Sequence, residues 1–148
     1  MRITEIKLNN YRAFYGEHTI SLDKDGKNLM VYGENGSGKS SLFTALQNFF
    51  LSSVQRVNVE ENIFVPVSKK NTASIQVTIK ESAASTKTTN FDLNIIDKQI
   101  ISADKTIIAD ANKIKGFFDY RSLLRTHIEH ANDVNLFDIL INGILKHS

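Results

Sequence analysis

Cysteine is absent from the 148 residues, which excludes disulfides and thiolate metal sites and fits a cytoplasmic protein. No apolar run approaches the ~20 residues that a membrane span needs, so a soluble chain without a membrane partner is expected. The start, Met1-Arg2-Ile3-Thr4-Glu5, lacks a charged region followed by an apolar stretch and a cleavage site, and no secretory leader is expected. Charge of one sign is also scarce. The net charge of +2 does not decide on a nucleic-acid partner, because overall charge need not reveal a basic patch on one face. Proline occurs once, at Pro66, and neither repeats nor low-complexity tracts occur. What remains is ordinary for a globular domain: 41% hydrophobic and 23% charged residues. A chain of this length buries roughly 70% of its unfolded surface and can hold a real core.

The texture changes at about Ser52. Before it, "ITEIKLNN" sets Ile6 and Leu8 against Glu5 and Lys7, the period of a half-buried strand. "EHTISLD" alternates His18, Ile20 and Leu22 with Glu17, Thr19 and Ser21, and a turn is expected at Asp25-Gly26. Leu29-Met30-Val31-Tyr32 is apolar without alternation, which predicts a central strand covered on both faces. "KSSLFTALQNFFL" then places Leu42, Ala45, Leu46, Phe49 and Phe50 at helical spacing with Lys39 as the only charge, a helix expected to pack against the sheet. Residues 52–71 carry no sustained period and read as an excursion or flexible loop. From Thr72, "ASIQVTIK" and "FDLNI" alternate again and predict a hairpin across "ESAASTKTTN", with a shorter strand pair, "QII" and "TIIA", extending the sheet through residue 110. Residues 111–148 read as helical, with Asp119 as a cap and an apolar stripe from Leu136 to Leu145.

The octet Gly33-Glu34-Asn35-Gly36-Ser37-Gly38-Lys39-Ser40 fits GxxxxGK[S/T], the phosphate-binding P-loop. Its glycines let the backbone turn so that successive N–H groups converge on phosphate oxygens, and the loop feeds a helix whose amino end carries about half a positive charge. Lys39 supplies a full charge for the β and γ phosphates of ATP. The Ser40 hydroxyl is the expected Mg2+ ligand, and Ser41 adds a hydroxyl toward the α phosphate. A strand before and a helix after form the context that the motif requires.

The motif leaves the nucleotide class open, and here a resemblance enters. Ile6-Lys7-Leu8-Asn9-Asn10-Tyr11-Arg12-Ala13-Phe14, followed by Asn35-Gly36-Ser37-Gly38-Lys39-Ser40-Ser41, resembles the amino-terminal half of SMC/RecF-like ABC ATPases. Those include DNA repair ATPases, overcoming-lysogenization-defect (OLD) nucleases and anti-phage defence ATPases. The resemblance covers about residues 1–51, and its architecture extends more weakly through 130. It implies an α/β fold: an ABC-type P-loop half-head with a mixed central sheet, an antiparallel β lobe at 72–110 and flanking helices. It also implies ATP and Mg2+ as cofactors, a homodimer through ATP-bound heads, DNA as a partner and an effector or nuclease subunit as a further one. In this likeness Arg12 approaches the nucleotide's phosphates or a DNA backbone; a solvated charge at a strand end is the alternative, and the sequence leaves both open.

Other parts of such a head are missing from the sequence. No segment resembles LSGGQ, no apolar strand ends in Asp-Glu, and the four glutamines, Gln47, Gln55, Gln76 and Gln99, fall on elements assigned otherwise. Asp138 sits in "NLFDILINGIL", which reads as an amphipathic helix. A loop without the hydrolytic carboxylate is expected to bind better than it catalyses. The resemblance implies that the reading frame continues past residue 148 through an insertion to the signature and Asp-Glu segments. Two other readings stay open: a P-loop phosphotransferase, for which residues 52–71 offer only Arg56 as a lid arginine, and a non-catalytic ATP-dependent assembly module. His127, Glu129 and His130 read as a solvated helix end rather than a metal site. Lys69, Lys70, Arg121 and Arg125 lack the interleaved aromatics of a nucleic-acid surface and read as surface charge.

Overall fold

The computed structural model describes residues 1–22, 28–81, 86–102, 104–114 and 116. Four antiparallel strands form one sheet in the order β2-β1-β3-β4, with β1 at Arg2–Tyr11, β2 at Phe14–Ser21, β3 at Ser74–Lys80 and β4 at Thr88–Asn94. The period-2 pattern sets the register. Ile6 faces Val77, which faces Phe91, and Leu8 faces Ile75, which faces Leu93; all six are buried on one face. On the opposite face Lys7 aligns with Gln76 and Asp92, and Glu5 with Thr78 and Asn90, a polar surface with a Lys7–Glu5 ion pair of 3.7 Å. A one-residue slip would exchange the two faces, so burial pins the register. β2 is an edge strand, and the half-burial expected of it is confined to a few positions: His18 is exposed and Ile20 only partly covered.

Helix α1 spans Lys39–Leu51, the residues predicted for it. Leu42, Ala45, Phe49 and Phe50 are buried, and the Phe49 ring meets Phe91 of β4 edge-on at a centroid separation of 6.4 Å. The helix therefore lies on the apolar face of the sheet. Its carboxyl end is closed by Ser52 Oγ and Ser53 Oγ, each donating at 2.7 Å to the carbonyls of Phe49 and Phe50.

Three expectations need correction. Leu29 to Tyr32 join no ladder among the described residues, and Met30 and Tyr32 are 88% and 90% exposed. No strand forms there, and no mixed sheet is shown among the described residues: the segment is apolar enough for a central strand but pairs with no described neighbour. The second strand pair is also absent. "TIIA" lies in helix α2, Lys105–Ile114, where Ile108 and Ala111, three apart, are buried together, a spacing that fits a helix and not a strand. Finally, residues 52–71 are irregular, as expected, but not loose. Val57, Val59 and Val65 are buried, a 3-10 turn occupies Val67–Lys69, and backbone bonds tie Val57 N to Lys98 O at 2.8 Å and Asn62 N to Asn10 O at 2.7 Å. The Asp25-Gly26 turn, Asp119, Arg121, Arg125, the two histidines with Glu129, Asp138 and the stripe at 136–145 lie outside the described residues. No described helix is long and apolar enough to cross a membrane.

Candidate nucleotide site

The octet forms the tight turn that its glycines require. Gly38, the residue before α1, sits at φ 90°, ψ 0°, a left-handed conformation that costs a non-glycine residue roughly 1–2 kcal/mol, and a Cβ there would stand 3.2 Å from the Phe14 ring. At Gly33 a Cβ would meet Ser37 Oγ at 2.9 Å. At these two positions the turn leaves little room for a side chain. No side chain caps the helix, and its first N–H groups are among the orphans that an anion satisfies.

Lys39 curls back into this turn. Its Nζ donates to the carbonyls of Gly33 at 2.7 Å and Glu34 at 2.6 Å and to Ser37 Oγ at 3.2 Å. The ammonium thus stands at the centre of the loop, on partners that a phosphate oxygen can replace. Ala13, Asn35, Gly36, Lys39, Ser40 and Ser41 line a cleft of about 250 Å3 here. Ser40 is exposed and Ser41 buried. Gly33, Glu34 and Ser37 thus gather around the Lys39 ammonium, and the other octet residues line the cleft with Ser41.

Arg12 reaches the neighbourhood by a different route. It occupies the turn between β1 and β2 with φ 47°, a left-handed conformation that persists only where surroundings over-determine it. Both of its backbone groups are held: its N–H donates to Glu60 O at 3.1 Å, and its carbonyl accepts from Asn62 Nδ2 at 2.5 Å. Its guanidinium pairs with Glu60 at 3.5 Å. Arg12, Tyr15, Ser41, Glu60, Ile63 and Phe64 line a second cleft of about 570 Å3, which shares Ala13 and Ser41 with the first.

Residues 60–64 were illegible as site residues. They carry no motif; the bridge of Glu61 with Tyr11 and the bonds of Glu60 and Asn62 to Arg12 and Asn10 bring them beside the turn that follows β1. Burial raises the Glu61 carboxyl, but the backbone N–H groups of Thr72 and Asn71 outweigh it and hold the group below the usual glutamate range. Phe14 enters the sequence reading only as the end of the stretch that carries the family resemblance, yet its ring lies against Gly38.

Tyr11 links β1 to α1 beneath the site. It is fully buried, and its hydroxyl accepts from Asn48 Nδ2 at 3.3 Å. Burial pushes the phenol above its ordinary value of 10.0, and the adjacent Arg12 guanidinium offsets only part of that. A folded-state value above the unfolded one means that this stability is present below pH ~10 and is lost as pH rises through the folded value. Tyr11→Phe is therefore expected to lower stability by about 0.5–1.5 kcal/mol at pH ~8 and to flatten the alkaline decline. Urea midpoints at pH ~8 and pH ~11 compare the two slopes, and an equally steep loss in the variant would refute Tyr11 as its source.

The chain matches the family model of the AAA ATPase domain over residues 1–144. It belongs to that family. No curated protein matches it. An AAA ATPase domain binds ATP, usually with Mg2+, and the residues present fit that pair. Asn35, Gly36, Gly38, Lys39, Ser40 and Ser41 line one cleft, and Ser40 is exposed. Gly33, Asn35, Gly36, Ser37, Gly38, Lys39 and Ser41 would hold the phosphates, with Ser40 on the metal.

Proposed function

We propose that this AAA ATPase domain is the ATP-binding amino-terminal part of an SMC/RecF-like ATPase that acts on DNA in repair or anti-phage defence. Its ATP-bound heads pair, and residues beyond this sequence complete hydrolysis. The observation that carries nucleotide binding is the Lys39 ammonium at 2.7 and 2.6 Å from the Gly33 and Glu34 carbonyls, inside a glycine turn at the start of an uncapped helix.

Two further features support the finer reading. The strand carrying Ile6 to Tyr11 delivers Arg12 to a cleft that it shares with Ser41, which brings its guanidinium, paired there with Glu60, near the P-loop. The exposed apolar stretch Leu29–Tyr32 enters the P-loop with its backbone free of any ladder among the described residues, and strands of a completed head would cover it.

Titration of the chain with Mg2+-ATP, followed by turnover assays on it and on the full reading frame, tests the proposal. Binding by these residues is expected with negligible turnover, and turnover with ATP-dependent duplex DNA binding is expected from the longer chain. Phosphate transfer to a small acceptor by residues 1–148 would replace the proposal with a phosphotransferase. Binding without turnover in any form would replace it with an assembly module.

A further inference from the structure

We infer that Phe14 is a positioning residue of the phosphate loop: its ring braces Gly38 and holds the loop in the turn that receives phosphate before any ligand arrives. This rests on the P-loop reading above. The ring approaches tip-first. Its Cζ would stand 3.2 Å from a Cβ on Gly38, with Cε1 and Cε2 at 3.6 Å. Gly38 is the residue that needs a brace. At φ 90° and ψ 0° and without a side chain, it populates left- and right-handed conformations about equally when unrestrained, and it gives up that freedom in the formed loop. Lys39, Ser40 and Ser41 follow it directly at the start of α1, so a change at Gly38 turns the rest of the loop relative to all three.

The brace is itself held. Phe14 pairs with Tyr11 across the turn between β1 and β2, and Tyr11 is fully buried. The backbone of Arg12 is tied by its N–H to Glu60 O and by its carbonyl to Asn62 Nδ2, and Gly16 N donates to Asn10 Oδ1 at 2.8 Å. The His18 ring meets Phe14 edge-on at a centroid separation of 5.3 Å and is fixed in turn by its Nε2, which donates to the Tyr15 carbonyl at 2.9 Å. Ala13, between Arg12 and Phe14, lines both clefts, so the same turn is a wall of the phosphate cleft and the mount of the ring. Truncating Phe14 opens space beside Gly38. A loop that then spends about a tenth of its time in the competent turn binds its ligand about 10-fold more weakly.

Calorimetric titration of the 148-residue chain with Mg2+-ATP and with Mg2+-tripolyphosphate, which has the phosphates and no nucleoside, tests this. Phe14→Ala is expected to weaken both ligands by the same factor, about 10-fold. Phe14→Met, whose unbranched apolar side chain can still reach Gly38, keeps both within about two-fold. Ile20→Ala controls for a general loosening of β2: it removes packing opposite Ile6 and should lower the urea midpoint without changing either affinity. Phe14 is only half-buried, so the fold should survive its truncation. If Phe14→Ala does not fold, Phe14→Leu, shorter but still apolar, carries the test and is expected to bind both ligands at least about three-fold more weakly than Phe14→Met. Unchanged affinities in Phe14→Ala, or an equal loss in Phe14→Met or Ile20→Ala, overturn the brace while leaving the phosphate site standing. A loss confined to ATP overturns it too, since Phe14 would then act on the nucleoside and not on the loop. Failure of the unmodified chain to bind either ligand overturns both readings.

Discussion

Lys39→Ala is expected to weaken Mg2+-ATP by about 100-fold with the fold unchanged. The ammonium is the one full positive charge inside the octet, and a hydrogen bond to a charged group contributes about 1.5–3 kcal/mol, where ~2.7 kcal/mol corresponds to a factor of about 100. Nothing comparable is lost from the folded state. Among the described residues Lys39 bonds only to Gly33, Glu34 and Ser37 of its own loop, none of which is buried, and water can serve those groups when it is gone. Ligand-induced stabilisation reads the difference directly. At a concentration of about 100 times the wild-type Kd, binding adds ~2.7 kcal/mol; the same concentration equals the Kd of the variant and adds only ~0.4 kcal/mol. A thermal shift of undiminished size would mean that the nucleotide sits elsewhere. Lys39→Arg should not rescue binding, because a planar guanidinium does not replace a compact ammonium in a turn of this size.

How much of this was readable beforehand follows from the range of the interactions. β1, the hairpin of β3 and β4, and α1 are set by side-chain period within a few residues, and a period survives in sequence. So is the P-loop, whose glycines, lysine and serines act on one another across eight positions. Leu29–Tyr32 could not be read this way. Apolar character marks a segment that seeks cover, whereas a strand also needs neighbours to bond with, and no local pattern reports them. "TIIA" failed for a related reason: threonine and isoleucine favour strands, and only burial of Ile108 with Ala111 decided for a helix. Glu60 to Phe64 were the furthest from view. Their place beside Arg12 comes from bonds across about 50 residues of chain, Asn62 to Arg12 among them, and such pairings leave no periodic trace.

Phe49→Ala is expected to cost about 3–5 kcal/mol of stability, the range for emptying a buried phenylalanine site, and to blunt the response to nucleotide. Phe49 is fully buried. Its ring packs edge-on against Phe50 at 5.5 Å and Phe91 at 6.4 Å, so it is the point where α1 is fastened to the sheet. The neighbouring Asn48, which bonds to Tyr11 and to the Asn58 carbonyl at 3.0 Å, is a polar tie and cannot fill the void. Since α1 begins at Lys39 and carries Ser40 and Ser41, a helix that shifts over a cavity carries these three P-loop residues with it, while Arg12 and Phe14 stay with β1 and β2. Chemical denaturation should show the large loss in stability. ATP titration of whatever remains folded should show weaker binding without any change at a contacting residue. If instead the variant loses less than about 1 kcal/mol, Phe49 is not the fastening between helix and sheet, and the placing of Lys39 relative to Arg12 must come from the 52–71 segment.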